Sequence, residues 1–327
     1  MSLFTRLSSS YFFYFAILGL ISPYLSVFLD GKGFTSLELG EIFAILTATK
    51  IIAPSLWAIL ADKTGQQLLI IRIGALLALL SFILLFWLDN YWVISICLAL
   101  FSLFWTAILP QLEVLTLNSV RHSSKIYARV RLWGSLGFIV LAIFAGQVMA
   151  FYQEQGLPNV TSNSFTNAFV FMGCTALFLL FLSTLSLKPR HVLSAAKIQV
   201  LSIKEKLLEL RFIIFFISGI LLQISFGPFY GFFALFLRDL EYPGFAVGLF
   251  ISLGVLAEIV VFIFASSFFK HFSLKALLIF SLGGAIGAYL AGVLWLDGLG
   301  ATTAFLTASV AALLAALLMM FLPKENR

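Results

Sequence analysis

Stretches of about twenty apolar residues alternate with short polar turns along nearly the whole chain. Ten stand out, over residues 11–29, 37–60, 68–88, 91–119, 127–152, 166–187, 212–237, 245–269, 274–295 and 299–322. An α-helix rises about 1.5 Å per residue, so each run can cross a hydrocarbon core of about 30 Å. Only helices and closed barrels satisfy their backbone polar groups in lipid, and runs this long and this apolar are helical. The pattern predicts an all-α polytopic membrane protein. The first run, Tyr11–Leu29, is longer than a signal-peptide core and lacks a small-residue cleavage site, so it is read as a spanning helix.

Composition agrees: 62% of the 327 residues are hydrophobic and 10% are charged, far from soluble averages. The net charge of +6 does not point to nucleic acid, because the basic residues sit in the turns as anchors. Counting them orients the chain. Arg6, Lys63, Arg72, Arg121, Lys125, Lys188, Arg190, Lys270, Lys324 and others fall on one side, whereas Lys32 and Arg238 are alone on the other. Both termini are therefore expected in the cytoplasm, as in a multi-pass protein of a bacterial-type inner membrane. The longest basic connection, 188–211, reads in its second half as an amphipathic surface helix. It separates a bundle at 1–187 from a second at 212–327.

Some chemistry is excluded. Cys97 and Cys174 lie inside apolar runs, which argues against a disulfide framework. His122, His191 and His271 lie in or beside polar turns, so no mid-membrane histidine relay is expected. No metal or nucleotide motif is present, and no metal or cofactor is expected. An integral-membrane enzyme would need a catalytic cluster or a sizeable extramembrane loop. The largest outer connection, Gln153–Phe165, is short and has one acidic residue, Glu154.

The informative residues are charges inside apolar runs, each of which costs about 2.5–3.5 kcal/mol on insertion scales and so needs a reason. Glu113 lies about 10 Å up one helix from the polar turn at 119–125, and Arg131 about 7 Å up the next. They reach similar depth and can meet, either as a structural ion pair or as a polar site on a solute path. Arg129, two residues before Arg131, points about 200° away on a helix, so only one of the two can face a cavity, and Arg131 is assigned there. A guanidinium in that place can clamp a carboxylate in bidentate fashion. Lys50 lies about 15 Å from the basic end of its span, the midplane, and Glu258 has the matching depth in the eighth span. They are expected to face each other across a central cavity, with Glu258 the candidate for proton coupling or else half of a structural pair. Gly134, Gly137, Gly283 and Gly287 form small-residue faces suited to close helix packing.

The turn after the second span reads Asp62-Lys63-Thr64-Gly65, where Asp and Gly suit a tight turn. It resembles the cytoplasmic loop motif of the major facilitator superfamily, matching at Asp62, Lys63 and Gly65 and departing at Ala58, Gln66 and Gln67. A weak repeat points the same way. Gly40 and Lys50 recur as Gly248 and Glu258, and Pro23 and Phe28 as Pro228 and Phe233, so spans 1–2 correspond to 7–8. Glu113, Arg131 and Trp133-Gly134 resemble the oligosaccharide/proton symporters typified by lactose permease. The stretch Tyr127–Gly137, with Tyr11–Tyr14, Lys50–Pro54 and Val255–Glu258, is closer to the 3-phenylpropionate permease-like branch.

The resemblance implies a two-bundle fold with six spans in the first half and an incomplete second bundle of four. The family's tenth and eleventh helices are missing by this reading, because the last span, ending Leu-Pro-Lys-Glu, is similar to the sixth. It also implies a secondary transporter of a small organic solute, working by alternating access and coupled to protons. Aromatic carboxylates are the first substrate class. Sugars or nucleosides, or a truncated remnant that does not transport, are the alternatives. Glu113, Arg131, Lys50, Tyr24, Phe229 and Tyr230 are the implied substrate residues, and Glu258 and Glu113 the proton-coupling residues. Asp62, Lys63, Gly65 and Arg129 belong to the implied conformational switch. Partners are substrate, protons and lipid, with self-association through the incomplete bundle.

Overall fold

The computed structural model describes residues 3–120, 123–154, 160–188, 210–271 and 299–320. Regular structure among them is helical: α1 Leu3–Gly31, α2 Ser36–Thr64, α3 Gln67–Ile83 with a 3₁₀ turn at Leu84–Phe86, α4 Tyr91–Ser119, α5 Ser124–Glu154, α6 Val160–Leu185, α7 Leu210–Asp239, α8 Gly244–His271 and α9 Leu299–Met320. Nine of the ten expected spans coincide with these helices. The span at 274–295, with Gly283 and Gly287, and the connection at 189–209 lie outside the described residues. By length and hydropathy, seven helices among the described residues qualify as membrane spans.

Local chemistry sets the helix ends. Thr35 begins α2 with a capping box: its hydroxyl accepts from Glu38 N, and the Glu38 carboxylate accepts from Thr35 N at 2.7 Å. Asn90 caps α4 by accepting from Trp92 N at 3.0 Å. Gly65 ends α2 at φ 67°, where a side chain would be strained, and its N–H bonds to Ala61 O at 2.8 Å. Asp62 and Lys63 therefore sit in the last turn of α2, and the tight turn expected there begins at Gly65.

Two compact units emerge, residues 1–194 with 237–259, and residues 195–236 with 260–327. In the first, α1 is the central helix, packed on both α5 and α6; α3 packs on α4 and α6, and α2 on α4. Association in lipid rests on close van der Waals fit and on interhelical hydrogen bonds rather than on expulsion of water. Glycines allow the fit. A Cβ on Gly137 would collide with Phe12 O, and one on Gly19 with Phe138 O, so the α1 and α5 backbones touch. Gly134 packs likewise on the Phe15 ring. Polar ties cross the other contacts: Thr49 Oγ1 donates to Ser102 Oγ at 2.6 Å, and Trp57 Nε1 to Leu103 O at 3.1 Å. Arg72 donates to the Leu187 carbonyl at 3.0 Å, placing a cation against the negative end of α6. In the second unit, Phe229 packs on Phe233 with ring centroids 5.0 Å apart, and Ala308, Ala311, Ala312 and Ala315 form a buried stripe on α9.

Candidate functional site

The site grows from α1, whose Tyr11, Tyr14 and Phe15 project toward α4 and α5. Tyr11 is fully buried beside the Thr116 hydroxyl of α4 and outside hydrogen-bonding geometry with it. Tyr14 stacks on Trp105 at 4.8 Å with 13° between ring planes, and Trp105 stacks on Phe101 at 5.8 Å. Phe15 offers its face to Arg131, whose guanidinium carbon lies 4.5 Å from the ring centroid. This is cation–π geometry, an attraction that strengthens away from water. Glu113 accepts a long hydrogen bond from Tyr127 Oη at 3.4 Å. The charges of Glu113 and Arg131 both act on the phenols of Tyr11, Tyr14 and Tyr127.

Glu113 and Arg131 thus share one aromatic cluster without forming the direct pair that depth alone suggested. Among the described residues no carboxylate lies within 4.0 Å of Arg131. The physical reason is lateral placement: depth along two helices fixes height only, and the crossing of α1 puts the Phe15 ring next to the guanidinium. Sequence reasoning names Tyr14 and Tyr127 only within stretches that carry the family resemblance, not as site residues, and does not name Phe15. The aromatic density of Tyr11-Phe12-Phe13-Tyr14-Phe15 is the available signal.

Arg129 turns away from this cluster and is exposed, as the helical offset requires. It makes no ion pair with Asp62, which is also exposed. Lys50 is exposed on α2. Glu258 is a residue of α8, and its expected pairing with Lys50 falls on a side chain outside the described set. The same holds for the Tyr230 side chain, whereas Phe229 on α7 is 37% exposed. Tyr24, an expected substrate residue, is packed between helices in this structure. It is fully buried, donates from Oη to Ala142 O at 2.9 Å, and fills the space where Cβ atoms on Gly146 and Gly248 would stand. It is a packing residue of α1, α5 and α8.

The opposite end of the first unit carries a polar closure that sequence reasoning misses. Arg238 Nη1 donates to Asp30 Oδ2 at 2.5 Å, joining the ends of α1 and α7. Lys32 bonds to Asp89 at 2.6 Å and to Leu88 O at 3.0 Å, and Gly244 N donates to Gln153 Oε1 at 2.7 Å. The two basic residues on the sparsely charged side are thus both paired. The signal is their scarcity beside Asp30, Asp89 and Asp239.

Comparison with known proteins places these features. The probable 3-phenylpropionic acid transporter of Escherichia coli strain K12 is 26% identical over 300 residues, 91% of this chain and 74% of that protein. The multidrug resistance protein MdtG of Klebsiella pneumoniae strain 342 is 26% identical over 235 residues, 69% of this chain and 54% of its own. The fold is that of the nucleoside transporter NupG, with a TM-score of 0.69 at 17% identity, over 98% of this chain and 80% of that one. The Escherichia coli xylose transporter XylE, partially occluded and inward open, gives 0.62 at 16% identity, over 97% and 82%. The profile of the MFS_1 like family matches residues 4–283, most of the chain, with Lys50, Glu113, Arg131 and Glu258 inside the match. This multi-pass membrane protein belongs to the MFS_1 like family of the major facilitator superfamily and is built as a transporter.

Proposed function

We propose that the chain moves an aromatic carboxylate by alternating access with proton coupling, and that Arg131 binds the carboxylate. The observation that carries this reading is Arg131 itself: a guanidinium held over the Phe15 ring, among Tyr11, Tyr14 and Tyr127, with no carboxylate in ion-pair reach among the described residues. An aromatic acid supplies both things that this arrangement lacks, an anion for the fork and a ring for the aromatic wall. The similarity to a probable 3-phenylpropionic acid transporter over 91% of the chain supports the same class. In this reading Glu113, which accepts from Tyr127, stabilises or releases the arginine as substrate arrives, and Lys50 adds a second cation on α2. Glu258 is the proton-coupling carboxylate in this reading. Gly65, Asp62 and Lys63 give the basic end of α2 a sharply terminated helix for the switch between states. The membrane is the inner membrane, with both termini cytoplasmic.

The second half has four expected spans against six in the first. We infer that the family's tenth and eleventh helices are missing, that a monomer transports poorly, and that a second copy packs on the incomplete bundle. Uptake of labelled 3-phenylpropionate into proteoliposomes, beside sugars and nucleosides and with or without an inward proton gradient, tests the function. Uptake of the aromatic acid that the gradient stimulates, and that Glu258→Gln makes insensitive to pH, is the expected result. Preference for a sugar or nucleoside contradicts the substrate class. Unchanged proton dependence in Glu258→Gln removes that residue from coupling.

A further inference from the structure

We propose that the face of α5 opposite Arg131 binds one anionic phospholipid. Lys125 and Arg129 hold the headgroup, and an acyl chain lies in the groove above them. Arg131 turns inward to Phe15, so the residues half a turn away, Arg129, Trp133, Leu136, Val140 and Phe144, share the outward face and are exposed. Two cavities follow each other along it. The first, about 520 Å³, lies at Arg129, Leu132, Trp133 and Leu136, with Phe4 of α1 opposite. The second, about 400 Å³, runs from Gly137 to Val148, with Phe12, Phe13 and Ala16 of α1 on one side and α6 on the other. It exists because α5 and α6 both pack on α1 more than on each other.

Charge and depth select the occupant. Lys125 and Arg129, one turn apart, are exposed and have no carboxylate within 4.0 Å among the described residues. A guanidinium at the foot of an apolar groove needs an anion at headgroup level, and basic residues at a membrane surface attract anionic lipid. Val140 lies about 16 Å along α5 from Arg129, close to one leaflet of a core about 30 Å thick. The first cavity and the lower part of the second, up to Val140, thus match one phospholipid: anion at the base, chain above it, and Trp133 at interface depth. A second copy of the chain fits less well. A two-fold contact through this face would bring Lys125 and Arg129 against the same cations of the partner at the same depth.

Native mass spectrometry of the detergent-purified full chain tests this, titrated with phosphatidylglycerol and with phosphatidylcholine of the same acyl chains. One phosphatidylglycerol should be retained in preference to phosphatidylcholine. Lys125→Gln and Arg129→Gln should each lower that preference about fivefold. Val140→Trp, which fills the groove and leaves both cations in place, should weaken retention of both lipids. Equal retention of the two lipids overturns the proposal, as does undiminished preference in the double variant or unchanged retention in Val140→Trp. A lipid-free dimer that Val140→Trp disrupts would assign the face to a second copy instead.

Discussion

At the scale of single residues, the decisive feature is the environment of Arg131. Its planar guanidinium can lie on Phe15 and still present a two-pronged donor edge, which the point charge of a lysine cannot do. Arg131→Lys keeps the charge and should still lower 3-phenylpropionate binding at least tenfold, measured by equilibrium binding to the purified protein. Near-normal affinity in that variant would remove Arg131 from the site. Its role as the inward arginine is legible in the sequence because a two-residue offset on a helix forces Arg129 and Arg131 apart. Its partner is not. Sequence depth puts Glu113 opposite, and the structure puts Phe15 there, because sideways placement depends on the crossing of α1 with α5. The partner of Tyr24 is illegible for the same reason: a position on α1 says nothing of which helix its hydroxyl meets, and it meets Ala142 O.

At the scale of elements, the spans are legible because lipid demands long, unbroken apolar helices, whereas their ends are not: α1 starts at Leu3 rather than Tyr11, and α6 at Val160 rather than Thr166. The close packing of Gly134 and Gly137 is legible as well, since small residues at helical spacing admit a neighbouring backbone. That packing is testable. Gly137→Leu forces atoms into the Phe12 carbonyl and should cost about 1–3 kcal/mol, seen as a lower melting temperature in detergent. Gly40→Ala on α2 meets nothing within 4 Å and should be neutral or slightly stabilising. Equal effects of the two changes would show that α1 and α5 do not approach as described. The Asp30–Arg238 tie between α1 and α7 is not legible, because it joins residues 208 positions apart with no periodic signal.

At the scale of the whole molecule, family membership describes a transporter, and the charge asymmetry predicts that its basic end faces the cytoplasm. Reporter fusions at Arg327 and within 197–206 should report cytoplasm, and one within 154–161 should report the outside; a reversed pattern contradicts the charge reading. The measurement that tests the account most directly is gradient-driven uptake of labelled 3-phenylpropionate by the purified 327-residue chain, in proteoliposomes at a series of protein densities. The account predicts uptake that is selective for the aromatic acid, abolished by an uncoupler, lost in Arg131→Lys, and rising more steeply than protein density as copies pair. Gradient-independent uptake, uptake untouched by Arg131→Lys, or full activity in vesicles holding a single chain would contradict it.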